Sequence, residues 1–230
     1  CEYLLRVFSR DFTWSASMLE TYAKCPFRFY LERVLHIRPL PESGGHLPPH
    51  IRGNLIHTIL NRFERQMQEK SLLPLNDENQ SKALQVIRDI GTDECRKVPF
   101  NNPLWHARKH QILGGNDIGG GLLEGFIDAE IERLQPEKNG RIPHTFIPDK
   151  LEFSFGAVKG TGDDPDSLQN AVDLVELALQ RIPDEYEEIL PEIPDKVLFV
   201  GKIDRIDISS DGLFGIIDYK TGKHLPGVSD

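Results

Sequence analysis

Apolar residues recur at helical spacing through the first half of the chain and at strand spacing near its end. The string Ser17-Met18-Leu19-Glu20 has the form of a capping box and predicts a helix starting at Ser17. Leu19, Tyr22, Phe27, Tyr30, Leu31 and Val34 continue the pattern, and Pro26 is expected to kink or restart that helix. A Pro- and Gly-rich loop follows from Pro39 to Pro49. Leu55, Ile56, Ile59, Leu60, Phe63 and Met67 place a second helix over about Gly53 to Lys70. A third is predicted over about Asn79 to Cys95. A fourth spans about Leu122 to Leu134, after a glycine-rich break at Gly114 to Gly121. Beyond Pro148 the period changes. Leu151 to Phe155 alternates as a strand, Leu168 to Ile182 has an amphipathic helical stripe, and Val197 to Ser209 and Leu213 to Lys220 read as two strands.

This order predicts a mixed α/β or α+β fold: one domain over 1–230, with a helical part over about 15–135 and a β-rich part over about 150–222. A helical insertion is expected at about 166–182. With 230 residues, 39% of them apolar, the chain can bury a core, which excludes a disordered class. No run of 18 apolar residues predicts a membrane span. Three scattered cysteines, Cys1, Cys25 and Cys95, make no disulfide framework and fit a cytoplasmic setting. A net charge of −9 argues against a general nucleic-acid coat, but not against an enzyme with an acidic metal site. Because it starts at Cys1 and stops just after a strand, the chain reads as a piece of a longer protein.

The last two strands carry the chemistry. Ser210-Asp211-Gly212 fits a three-residue hairpin loop, with glycine supplying the left-handed position. That loop pairs Ser209 with Leu213, so Ile208 faces Phe214, Ile206 faces Ile216 and Asp204 faces Asp218. Lys220 falls on the face of the two aspartates, and Arg205 on the other. Carboxylates directly opposite one another repel. Either Lys220 or a divalent cation would relieve that repulsion. A cation, a carboxylate pair and a lysine on one face suit phosphodiester hydrolysis.

Three blocks resemble the RecB-like branch of the PD-(D/E)XK nuclease superfamily, and within it the AddB type of helicase–nuclease and stand-alone RecB-family exonucleases. Ser15 to Phe29, with its Cys25-Pro26-Phe27, is similar to the family's opening helix. Gly53 to His57 is similar to its Gly-x-x-x-His motif. Gly201 to Asp204 with Asp218-Tyr219-Lys220-Thr221-Gly222 is similar to its Gly-x-x-Asp and Asp-Tyr-Lys-Thr-Gly motifs. The resemblance implies a restriction-endonuclease-like core whose antiparallel hairpin bears the site.

It also implies roles. Asp204, Asp218, His57 and the Tyr219 carbonyl would hold Mg²⁺ or Mn²⁺, and Lys220 would position the water. Lys24, Arg28 and Arg52 are candidate DNA contacts. Cys25 resembles the first of four iron–sulfur ligands, a cluster that only a longer parent protein would complete. The implied activity is that of a DNA exonuclease in repair and recombination, with a helicase segment or partner subunit. Two departures stand out: Asn61 sits where the family often carries Glu, and the chain ends before the family's Gln-x-x-x-Tyr helix, so the C-terminal part of the core is expected to be missing. The rival readings are an inactive DNA-binding or scaffold domain of such a complex, an unrelated interaction domain, and the CRISPR-associated relatives of this branch.

Overall fold

A computed structural model of the chain describes residues 8–9, 12–37, 48–99, 102–114, 120–134, 146–156, 168, 170–174, 176 and 196–220. The chain divides into two compact units, Cys1–Glu42 with Phe153–Lys202 and Ser43–Glu152 with Ile203–Asp230.

In the first unit, β1 (Thr13–Ser15) leads into α1 (Ala16–Lys24). The helix starts one residue earlier than the capping box predicts, because Ser15 is its cap: the Ser15 hydroxyl accepts from the Met18 N–H. The chain restarts at Pro26, as expected. Cys25 caps α2 (Pro26–Phe29), its Sγ accepting from the Arg28 N–H at 3.4 Å, and a π-helical turn over Tyr30–Val34 follows. The sheet is mixed: β1 runs parallel to the start of β4 (Leu198–Ser209), and the two-residue β3 (Val172–Asp173) runs antiparallel to it. Where a helix was expected from Leu168, Leu168 instead bridges to Phe155 and Val172 pairs with Phe199. Asp173 fixes this pairing by accepting the Val197 N–H. Leu174 and Glu176 are helical, so the described part of the predicted helix starts six residues later than expected; residues 169, 175 and 177–182, and the Pro183–Asp195 stretch, lie outside the described residues. Gly201, the first residue of the Gly-x-x-Asp motif, packs under Phe155: a Cβ there would lie 2.6 Å from the tip of the ring and would force that ring to shift.

The second unit is built on α3 (Pro49–Glu69), α4 (Gln80–Lys97), α5 (Pro103–Leu113) and α6 (Leu122–Leu134). Pro49 occupies the first turn of α3, where its missing N–H costs nothing, so this helix begins a turn before the predicted start. The four helices enclose one apolar core that includes Ile59, Phe63, Met67, Ile87, Leu123 and Ile127. Helix α5 was not legible in the sequence. Of its eleven residues only Trp105 and Ile112 are buried, too few to make a periodic stripe, and Asn102 caps it by accepting from the Trp105 N–H.

The hairpin of β4 and β5 (Phe214–Ile217) completes this unit. Arg205 pairs with Ile217, Ile206 with Ile216, Asp207 with Gly215 and Ile208 with Phe214, the register expected from the loop. Gly212 takes the left-handed conformation with φ of 82°. The burial is the reverse of ordinary patterning. Arg205, Asp207 and Ser209 are buried, whereas Ile208, Phe214 and Ile216 are exposed.

Candidate metal centre

His57 lies two turns into α3 and is half-buried. Its Nδ1 is 3.2 Å from Asp204 Oδ1, and its Nε2 is 2.9 Å from the Tyr219 carbonyl oxygen. Both neighbours are acceptors, so both ring nitrogens donate only when the imidazole is protonated. Consistently, the hydrogen bond to Asp204 holds the His57 pKa above its ordinary value, against the opposing effect of burial. For Asp204, burial acts to raise the pKa, but the His57 bond and the Tyr219 N–H outweigh it and the net shift is downward. That N–H donates to Asp204 Oδ2 at 2.9 Å. Tyr219 thus meets the site with both of its backbone groups.

Asp218 lies next to Asp204, one residue past the Arg205–Ile217 pair that ends the ladder. Its Oδ2 is also ion-paired with the Lys220 ammonium. Helix α3 and the motif hairpin with the residues that follow it therefore bring together His57, Asp204, Asp218, Tyr219 and Lys220. Thr221 and Gly222 lie outside the described residues, as does Cys1.

One acidic residue of this cluster was missed in the sequence. Glu152, on β2 (Phe146–Phe155), offers a carboxylate oxygen within 4.8 Å of ligand atoms of both His57 and Asp204. Leu151 to Phe155 reads as simple alternation, which gives Glu152 no special direction. In the structure Glu152 has φ of 57°, and burial along β2 falls at Pro148, Leu151 and Ser154, every third residue. A local left-handed turn in the strand aims the carboxylate. The available signal was an acid between Leu151 and Phe153, in a segment otherwise fit for a core.

One imidazole, two carboxylates and a carbonyl, with no thiolate, form a donor set suited to Mg²⁺ or Mn²⁺. In the metal-free state the His57 proton supplies the positive charge among these oxygens. Since its folded-state pKa lies above the unfolded value, the His57–Asp204 pair stabilises the metal-free chain fully below about pH 6.5, and that contribution is lost as pH rises through the raised value. Cation binding has the opposite dependence, because an imidazole ligand must be neutral. Mn²⁺ affinity should climb by about tenfold per pH unit until His57 has lost its proton. Calorimetry between about pH 5.5 and 8.5 checks this; an affinity indifferent to pH would remove His57 from the ligand set.

The other candidates lie elsewhere. Lys24 is ion-paired to Glu20 of its own helix at 2.6 Å, and Arg28 to Glu32 of the following π-helical turn at 2.7 Å. Arg52 is half-buried on the first turn of α3. Cys25 is half-buried and serves as a helix cap, and Cys95 is buried. Among the described residues no helix is long and apolar enough to cross a membrane.

The chain is 25% identical over 232 residues to a protein of Clostridium kluyveri named as a subunit of an ATP-dependent helicase/deoxyribonuclease, covering 98% of this chain and 17% of that protein. It is 25% identical over 229 residues to the protein of the same name from Lacticaseibacillus casei, with the same two coverages. The chain thus spans about a sixth of the length of these relatives. Residues 13–230 match the sequence pattern of the PD-(D/E)XK nuclease superfamily, with the motif hairpin and His57 inside the match, and the chain belongs to that superfamily.

Proposed function

We propose that the chain is a divalent-metal-dependent DNA nuclease domain, an exonuclease, acting in the cytoplasm as part of an ATP-driven helicase–nuclease. The observation that carries this reading is the convergence of His57, Glu152 and Asp204 within 4.8 Å, beside the Tyr219 carbonyl and the Asp218–Lys220 pair. The relatives' shared name, as subunits of a helicase/deoxyribonuclease, supports the DNA substrate and the helicase partner.

In this reading His57, Glu152, Asp204, Asp218 and the Tyr219 carbonyl hold the cation. Bound there, Mg²⁺ or Mn²⁺ would polarise a phosphoryl oxygen and lower the pKa of a water. Lys220 donates from its ammonium to the attacking water or to a phosphate oxygen, with Asp218 orienting it in the metal-free state. Asp204 is oriented by the Tyr219 N–H. No side chain needs to form a covalent intermediate. Arg52, on the helix of His57, is the basic residue this reading keeps for a backbone phosphate.

Lys220→Ala tests the mechanism. Mn²⁺ affinity should be little changed, while nucleotide release from linear DNA falls by about 10²- to 10⁴-fold, the scale of a lost proton-handling group. Full cleavage by the variant would refute the assigned role. Metal-independent DNA binding without cleavage by the full-length parent protein would favour the scaffold reading instead.

A further inference from the structure

Behind the metal centre lies a buried ionic cluster that the proposed chemistry does not use. Arg205 is fully buried. It donates to Glu64 Oε1 of α3 at 2.7 Å and to Glu130 Oε2 of α6 at 2.8 Å. It also forms a two-pronged pair with Asp207, at 2.6 and 2.8 Å. Arg133 closes the cluster with bonds to Glu130 and Asp207, each 2.9 Å. The fifth contact of Arg205 points toward the site: its Nη1 donates to the Tyr219 hydroxyl at 3.4 Å.

We infer that Arg205 is a positioning residue, setting which face of the hairpin meets α3 and holding Tyr219 so that its carbonyl and Asp204 reach His57. This rests on the nuclease reading for its metal readout only. Three observations carry it. First, the hydrophobic pattern does not choose this face. In the paired part of the hairpin Ile208, Phe214 and Ile216 are exposed and Ile206 is half-buried, whereas Arg205 and Asp207 are buried. A strand turned over would put Ile206 and Ile208 inward and carry Asp204 away from His57. A buried ionic group that fixes register is the best-attested use of such groups.

Second, His57 and Glu64 are seven residues apart on α3, two turns, and so share a face of the helix. His57 meets Asp204 and Glu64 meets Arg205, adjacent residues on opposite sides of β4. One face of the helix thus meets two successive residues of the strand, and each contact constrains the register of the other. Third, the β5 ladder stops at Ile217. Tyr219 lies past it, held by its N–H on Asp204, its ring against Phe126 and His57, each with centroids 5.9 Å apart, and its hydroxyl on Arg205.

The test uses the 230-residue chain and two variants. Arg205→Met with Glu64→Leu removes the pair from both sides and leaves Glu130 and Asp207 their bonds to Arg133. Tyr219→Phe removes the hydroxyl alone. Two quantities are read: the nuclear Overhauser contact between the residue-57 and residue-219 rings in metal-free protein, and the Mn²⁺ affinity. The double variant should unfold cooperatively, lose the ring contact and bind Mn²⁺ at least about tenfold more weakly, the scale of losing an orienting partner. Tyr219→Phe should weaken Mn²⁺ by about fivefold, the scale of one hydrogen bond. A folded double variant that keeps both the contact and wild-type affinity overturns the inference. If the double variant does not fold, Tyr219→Phe decides: unchanged affinity and ring contact overturn the inference, and loss of either supports it. A wild-type chain without Mn²⁺ binding would refute the nuclease reading, and the metal-free ring contact would still judge Arg205.

Discussion

Asp204→Asn should lower Mn²⁺ affinity by at least about a hundredfold, beyond the usual cost of disturbing a ligand's support, and cleavage should fall with it. The residue is central by geometry. Its two oxygens take the His57 imidazole and the Tyr219 N–H, and its charge holds the His57 proton in the absence of a cation. An amide keeps one acceptor and loses the charge, so it satisfies one of these partners well and attracts neither a cation nor an imidazolium. Metal-free stability should fall as well, by about 2 kcal/mol at pH 6, from the loss of charge-assisted bonds. The sign of that change is decisive. Were the Asp204–Asp218 pair only two opposed charges on a surface hairpin, the same substitution would relieve repulsion, raise stability and leave Mn²⁺ binding alone. Calorimetry and urea unfolding on one variant separate the two outcomes.

The parts of the fold that were legible are those in which local chemistry and packing agree. A glycine in the left-handed position of a three-residue loop settles the register of β4 and β5, from Ile208 opposite Phe214 to Arg205 opposite Ile217. Helix α6 has the expected bounds, and its buried Leu123, Ile127 and Ile131 lie at spacings of four. What was not legible depends on partners distant in sequence. Strand β1 is three residues long and exists through parallel pairing with residues 198–200. Glu152 reaches the site through a left-handed backbone that alternation does not foresee. Arg205 could be assigned to the face away from the aspartates, but its burial depends on Glu64 and Glu130 from two helices, and no spacing rule connects those three residues. Apolar pairs on the face of Asp204 would ordinarily mark the inner side of a hairpin; here Ile208, Phe214 and Ile216 are exposed and Ile206 only half-buried, because the ionic cluster occupies the other side.

Glu64→Gln should make the metal-free chain more stable at pH 8 and leave it nearly unchanged near pH 4.5. Burial pushes the Glu64 carboxyl up to about 7, in spite of the Arg205 charge beside it. Its Oε2 is buried without a hydrogen-bond partner among the described residues, while Oε1 accepts from Arg205. A carboxyl whose folded-state pKa lies above the unfolded one binds its proton more tightly when folded. Its contribution is therefore most favourable below the unfolded value of 4.5 and is lost as pH rises toward 7. That rise of about 2.5 units corresponds to about 3 kcal/mol. Gln resembles the protonated acid: it keeps an oxygen for Arg205 and carries no charge to desolvate. Below the unfolded pKa the two proteins should match. Above pH 7 the wild type bears the full cost of ionising Glu64 in its buried site and the variant does not. Urea unfolding of both proteins in chelator at pH 4.5 and 8 measures the difference. If the variant is the less stable protein at pH 8, the ionised Glu64–Arg205 pair more than offsets its own desolvation. The cluster would then be a net source of stability as well as a determinant of register. If the variant gains the expected stability, burial of Glu64 works against stability at neutral pH, and its retention fits a part in seating Arg205 behind Tyr219.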